Sequence, residues 1–251
     1  MILLTGGTGT LGRHVTPLLL EAGQKVRILS RNAQPAQDGV EYVTGDLLAG
    51  TGITEALDGV STILHLAGST KGDDIATRNL MAAAKDVQHV VFISVIGADR
   101  VPLAWLRSQL DAEQAIRDSG VPWTILRAAQ FHDLVLKMVT AMAKLPVVPA
   151  PGMRLQPVDA RDVAARLVEL TLGQPAGLVP ELAGPREYEM RELITGYLGA
   201  AGKRRPKLPV RIPGKAGKAY RAGDNLTLDG PRGTRTWEDF LAERVQGSSR
   251  H

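Results

Sequence analysis

Gly6, Gly9 and Gly12 recur at every third position in Met1-Ile2-Leu3-Leu4-Thr5-Gly6-Gly7-Thr8-Gly9-Thr10-Leu11-Gly12. Between a strand and a helix, that spacing suits the pyrophosphate of a dinucleotide. Gly6 can turn the chain tightly, Gly9 lets the backbone approach phosphate without a Cβ in the way, and Gly12 lets the helix lie close to the strand. The N–H groups and positive dipole end of that helix, around Thr8, Thr10 and Leu11, then face the anion. A glycine triplet alone is also what a plain tight turn shows. Here the flanks carry the inference, with buried-strand character before the triplet and a helical apolar repeat after it.

The next apolar run ends Ile28-Leu29-Ser30-Arg31-Asn32. An NAD site usually carries an acid at this point to accept from the ribose hydroxyls. None is present, and Arg31 stands where a 2′-phosphate would lie. A charge-assisted contact contributes roughly 1.5–3 kcal/mol, about tenfold to a hundredfold in favour of NADP over NAD. The expected cofactor is therefore NADP, with NAD possible; the plainer alternative leaves Arg31 solvated at a strand end. Asp46 and Leu47, after the third strand, can accept from the adenine amino group and pack its ring, or Asp46 can cap a turn.

Residues so placed need a sheet to hold them along one edge. Met1–Thr5 is followed by a helix in which Leu11, Val15, Leu18, Leu19 and Ala22 repeat at helical spacing until Gly23. Lys25–Ser30, Val40–Val43, Ser61–Leu66, His89–Ser94 and Trp123–Arg127 read as strands, with helices at Thr54–Leu57, Ile75–Lys85 and Ala104–Asp118. Continuous apolar runs mark strands buried on both faces, and the helices between them are parallel crossovers. The fold class is α/β, a Rossmann-type doubly wound parallel sheet over residues 1–150. Phe131–Lys144 reads as a further helix, Pro146, Pro149, Pro151 and Gly152 as a loop, and Asp159 as the N-cap of a helix to Leu172 with Asp162 in its first turn. Residues 151–251 read as a small C-terminal substrate lobe interleaved with the main domain.

Thr5-Gly6-Gly7-Thr8-Gly9-Thr10-Leu11-Gly12, Gly45-Asp46-Leu47, His65-Leu66-Ala67-Gly68 and Trp123-Thr124-Ile125-Leu126-Arg127 follow one another in an order that resembles the NmrA-like, atypical branch of the short-chain dehydrogenase/reductase superfamily. Arg235-Thr236-Trp237-Glu238-Asp239-Phe240-Leu241 is similar to the ending of bacterial members known only as NAD(P)-binding. The resemblance implies a Rossmann-type domain holding NADP or NAD near the carboxyl ends of the strands. It places Leu66, Ala67 and Gly68 on the ribose and nicotinamide side, and Ser94 and Val95 at the sheet edge beside the ring. Arg127–Phe131 would form the far wall, with Arg127 among the cofactor-binding residues.

Many members of the wider superfamily move the substrate proton with a Tyr, assisted by a Lys four residues later. The matching positions here are Trp105 and Gln109. An indole N–H is too weakly acidic for that task, and Gln109 can hydrogen-bond a ribose but brings no charge. No Tyr or Lys occurs between Asp86 and Lys137. A missing general acid forfeits about 10²–10⁴ in rate. Reducing a simple ketone makes a basic alkoxide that needs a donor, whereas a quinone, activated enone or dye gives a delocalised or neutral product. The expected acceptor is therefore conjugated and electron-poor, with Trp105 as a flat apolar wall; the alternative is a Trp105 packed in the core. His132 has the intrinsic pKa to supply a proton near neutrality, or makes only a local hydrogen bond at a helix start. Ser94 orients a carbonyl or merely forms a turn. His65 reads as a satisfied core residue, and Glu113 has no assigned role.

The chain has no cysteine, which excludes disulfides, thiolate catalysis and Cys-ligated metal. No spacing of His, Asp and Glu suggests a metal site. No apolar run approaches the roughly 20 residues of a membrane span, and a strand begins at Met1, so a cytoplasmic protein with no membrane partner is expected. The formal charge of +4 is localised: Lys203, Arg204, Arg205, Lys207, Arg211, Lys215, Lys218 and Arg221 have no acid among them. With a single aromatic, Tyr220, the stretch reads as a solvated, partly mobile segment rather than a nucleic-acid site. The residues point to an NADPH-dependent oxidoreductase acting on a small molecule. A non-catalytic NADP-binding sensor and a redox-neutral isomerase or cyclase are the alternatives.

Overall fold

The computed structural model describes residues 1–69, 71–227 and 229–246. In its first half β1 (Ile2–Thr5), β2 (Val26–Ser30), β3 (Val40–Thr44), β4 (Thr62–His65), β5 (His89–Val95) and β6 (Trp123–Ala128) alternate with α1 (Gly12–Glu21), α2 (Ile53–Leu57), α3 (Asp73–Ala83) and α4 (Ala104–Asp118). The strands are parallel throughout, in the order β3-β2-β1-β4-β5-β6. Successive side chains of a strand leave on opposite faces. Leu4, Ile28 and Leu126 accordingly join Val15 and Leu19 of α1 in one core, while Leu3, Leu29 and Ile125 join Leu80 of α3 and Ile116 of α4 in the other. Burial on both faces is why these strands are apolar without alternation.

After α5 (His132–Met142) come β7 (Val148–Pro151) and β8 (Arg154–Leu155). The chain then returns to the sheet: α6 (Ala160–Leu172) packs beside α1, and β9 (Gly177–Leu178) adds a seventh strand next to β6. Asp159 caps α6, its carboxylate accepting from the Arg161 N–H at 2.8 Å.

The chain continues through β10 (Tyr188–Glu189), α7 (Met190–Ala200), β11 (Lys207–Val210), α8 (Gly214–Ala222) and α9 (Trp237–Leu241), which runs into a π-helical turn (Ala242–Gln246). A third core, built from Val135, Val148, Leu193, Trp237 and Phe240 among others, joins α5, α7 and α9. The proline-rich stretch expected as a loop forms β7, paired in parallel with β11. Proline cannot donate to a ladder, yet an isolated two-stranded pair leaves one side of β7 without a neighbour, where a missing N–H costs nothing.

Candidate active site

The strand order reverses between β1 and β4, and the turn after β1 opens at the carboxyl edge of the sheet there. Gly6 has φ +70°, and a Cβ on it would come within 2.7 Å of Ala67 N. A Cβ on Gly12 would lie 2.3 Å from the Gly7 carbonyl oxygen, so α1 can sit on the turn only without one. Two cavities meet at this turn and share Gly6, Gly9, Leu66, Ala67 and Gly68. One, of about 370 Å³, runs towards β2 and is lined by Thr8, Ser30, Arg31, Asn32, Asp46 and Leu47. The other, of about 340 Å³, runs towards β5 and β6 and is lined by Thr10, Leu11, Ser94, Val95, Trp105, Gln109, Gln130 and Phe131. Two chambers joined over a glycine turn fit a two-ended ligand whose middle is an anion.

In the first chamber Arg31 is exposed and makes no ion pair among the described residues. Asp46 lines the cavity and also caps a turn, Oδ1 accepting from Leu48 N–H at 2.8 Å. The wall Leu66–Gly68 is tied down from behind. Thr5 Oγ1 accepts from the N–H groups of Leu66 and Ala67, both at 3.2 Å, and lies 2.6 Å from His65 Nδ1. His65 Nε2 lies 3.0 Å from Thr77 Oγ1, which donates to the Asp73 carbonyl at 2.7 Å. These partners leave the Thr5 hydroxyl to donate to Nδ1 and the imidazole N–H to sit on Nε2. Burial pushes the His65 pKa down to about 4, so the tether is neutral.

Several chemistry-bearing residues occupy places other than those expected. Arg127 is a buried structural residue and lines neither cavity. Its Nε and one terminal nitrogen donate to the two oxygens of Glu113 at 2.8 and 2.9 Å, and the other nitrogen donates to Asp99 at 2.8 Å. A guanidinium held by two carboxylates behind the wall is turned away from any cofactor in the chambers. Glu113, wholly buried, also accepts the Ser94 hydroxyl at 2.6 Å. Ser94 borders the second chamber, but its proton is committed behind the wall.

The amide nitrogen of Gln109 donates to Asp73 Oδ2, and Asp73 Oδ1 accepts from Ser69 N–H at 2.7 Å. Burial raises the Asp73 pKa from its ordinary value, against the pull of those hydrogen bonds. His132 lines neither chamber. It is buried in the third core with ring centroids 5.1 Å from Phe240 and 5.8 Å from Trp237. Burial lowers its pKa although Asp159, 4.0 Å from Nδ1, favours the charged form.

Trp105 is not in the core: it stands at the mouth of the second chamber, 36% exposed. Gln130 falls within the far wall, Arg127–Phe131, that the family resemblance implied, but sequence reasoning gave it no role of its own. Its Oε1 is buried on the chamber wall and finds no hydrogen-bond partner among the described residues. A buried, unpaired carbonyl costs about 1–3 kcal/mol unless something bonds it, so it fits a wall that a polar ligand completes. Beyond that resemblance, the signal in the sequence was a polar residue shortly after a buried strand. The glycine cradle and this orphaned oxygen both suit a nicotinamide dinucleotide.

Comparison with known proteins agrees with this geometry. The model of a family described as NAD(P)H-binding matches residues 6–172. The chain is 34% identical over 200 residues to a (4-alkanoyl-5-oxo-2,5-dihydrofuran-3-yl)methyl phosphate reductase of Streptomyces griseus, covering 76% of this chain and 71% of that one. It is 30% identical over 221 residues to an NAD(P)H azoreductase of Xenophilus azovorans, covering 84% and 76%. Among solved structures, an NADPH-dependent quinone oxidoreductase of Escherichia coli complexed with NADPH superposes with a TM-score of 0.80 at 22% identity, over 97% of this chain and 99% of that one.

Proposed function

Because the chain belongs to the NAD(P)H-binding family, we propose that it reduces a conjugated, electron-poor acceptor at the expense of NADPH, without a Tyr–Lys proton relay. Two relatives at 30% identity or more are named as reductases, which supports an NAD(P)H-dependent oxidoreductase. The backbone from Gly6 to Leu11 holds the pyrophosphate at the N-terminus of α1, and Gly12 lets that helix approach. Arg31 bonds the 2′-phosphate, Asp46 and Leu47 take the adenine, and Leu66, Ala67 and Gly68 border the ribose and ring. When bound, the reduced nicotinamide supplies a hydride. Residues 151–251 serve as the substrate lobe, except for α6 and β9, which complete the main sheet.

One observation carries the choice of acceptor. The Ser94 hydroxyl proton already points to Glu113, and one hydrogen of the Gln109 amide to Asp73. Ser94 therefore has no proton to give and an amide is no acid, so an acceptor that becomes a basic alkoxide gains little from either. A quinone, enone or azo compound spreads the charge it receives, so positioning accounts for most of the rate. Trp105 gives such a flat molecule an apolar surface at the mouth, and the Gln130 amide gives it, or the nicotinamide, a polar edge to bond.

The test is NADPH oxidation with a small water-soluble quinone, against a control without protein, while cofactor fluorescence reports binding. Protein-dependent consumption is expected, and Trp105→Ala should lower turnover by more than it weakens NADPH binding. Tight NADPH binding with no consumption of quinones, enones or azo dyes would overturn the reading and favour a sensor.

A further inference from the structure

None of the eight cations between residues 203 and 221 makes an ion pair among the described residues, although Arg27, Arg100, Arg127, Arg161 and Arg186 elsewhere all do. All of these cations but Lys207, which is half-buried, are exposed. It carries β11, and the parallel register sets Leu208 beside Pro149 and Val210 beside Pro151. Val148 and Ala150, between those prolines, point into the third core at 0% and 5% exposure. Pro149, Pro151, Leu208 and Val210 therefore share the outward face of the β7–β11 pair. Leu208 is 57% and Val210 39% exposed, and Leu145 and Val147, leading into β7, are 50% and 45% exposed. An apolar sheet face lies uncovered beside a block of unpaired cations.

We propose that this face docks on an anionic lipid bilayer. The cations attract headgroup phosphates, and the apolar side chains enter the boundary between headgroups and acyl chains, the two-part chemistry of peripheral membrane binding. A second copy of the chain is disfavoured, because a twofold contact through this face would set one block of cations against another. A nucleic acid would satisfy the charge but leave Leu145, Val147, Leu208 and Val210 without a role, and the stretch offers only Tyr220 for stacking. No described helix is long and apolar enough to cross a membrane, and surface docking needs none. The expectation of no membrane partner rested on the missing span and the strand at Met1, neither of which bears on surface docking. Docking does not depend on the reaction catalysed, although it would bring the protein to acceptors dissolved in lipid.

The experiment is flotation of the full chain with vesicles of phosphatidylglycerol and phosphatidylcholine, against phosphatidylcholine alone, at low and high salt. Binding should require phosphatidylglycerol and weaken with salt. Leu208→Asp, and separately the pair Arg204→Glu with Arg205→Glu, should each cut the bound fraction at least about tenfold, since one cation near such a surface is worth several-fold in partition. Both variants should keep wild-type melting curves and NADPH binding, which separates docking from folding. The proposal is overturned if the wild type does not float at low salt, or if Leu208→Asp floats as well as the wild type. Duplex DNA binding that Leu208→Asp leaves intact, with no flotation, would assign the cations to nucleic acid instead.

Discussion

Two arginines at the ends of parallel strands meet opposite fates. Arg31 follows β2 and enters the first chamber exposed and unpaired, whereas Arg127, on β6, is spent on Glu113 and Asp99. What separates them is whether a buried carboxylate waits behind the strand. Arg127 gives the buried Glu113 two hydrogen bonds that Arg117, on one oxygen alone, does not replace, so its loss would be strongly destabilising and Arg127 serves the fold. Arg31 has no such duty, and its removal should be felt only by the ligand. Arg31→Ala is expected to weaken NADPH about tenfold to a hundredfold, the span of one charge-assisted contact, while NADH affinity stays within about twofold. Fluorescence titration with each cofactor measures this, and an equal loss for both would remove the 2′-phosphate assignment.

At the scale of elements, the chamber wall depends on a neutral histidine bridging β1, β4 and α3. The folded pKa of His65, about 4, lies below its ordinary value of 6.5. The unfolded chain therefore takes up a proton first as pH falls, and stability rises with pH over that window. The contribution is complete above about pH 6.5 and is lost progressively towards about pH 4, on the order of 3 kcal/mol in all. His89 and His132, also lowered chiefly by burial, add in the same direction. Urea unfolding at about pH 7.5 and about pH 5 should show the wild type losing stability and His65→Gln losing clearly less. An equally steep loss in the variant would mean that His65 is not a principal titrating group.

The same elements show how far the sequence could be read. The glycine turn, the strand and helix order and the Asp159 cap are local, each fixed by a few neighbouring residues, and were legible. β7 was not, because its partner β11 lies some fifty residues downstream and its prolines read as a loop. Arg127 and His132 misled for a related reason. On a strand buried on both faces, residue type does not say which face a side chain takes. What covers His132 is α9, about a hundred residues later in the chain. Glu113 acquires a role only once β5, β6 and α4 are set side by side.

At the scale of the whole molecule, the chain passes from the sheet to the lobe at α5, back to the sheet through α6 and β9, and out again at β10. The crossings are bonded to one another. Val158 N–H donates to the Gln130 carbonyl at 3.1 Å, and His132 N–H donates to the Val158 carbonyl at 3.0 Å. Asp162 of α6 accepts from Thr234 N–H at 2.9 Å, just ahead of α9. Trp237 is fully buried at this junction, its indole N–H donating to the Leu193 carbonyl at 3.2 Å. Sheet and lobe should therefore unfold together. Trp237→Ala, a large-to-small change in a closed core, is expected to cost about 3–5 kcal/mol, a large share of the roughly 5–15 kcal/mol that holds a typical protein folded. The variant keeps Trp105 and Trp123 as reporters on the sheet side. If the molecule is one cooperative unit, their fluorescence and the far-ultraviolet circular dichroism should move to the same lower denaturant midpoint. If the two tryptophans instead keep the wild-type midpoint while the helical signal splits, the lobe unfolds independently, and the bonds through Val158 and Asp162 do not couple it to the sheet.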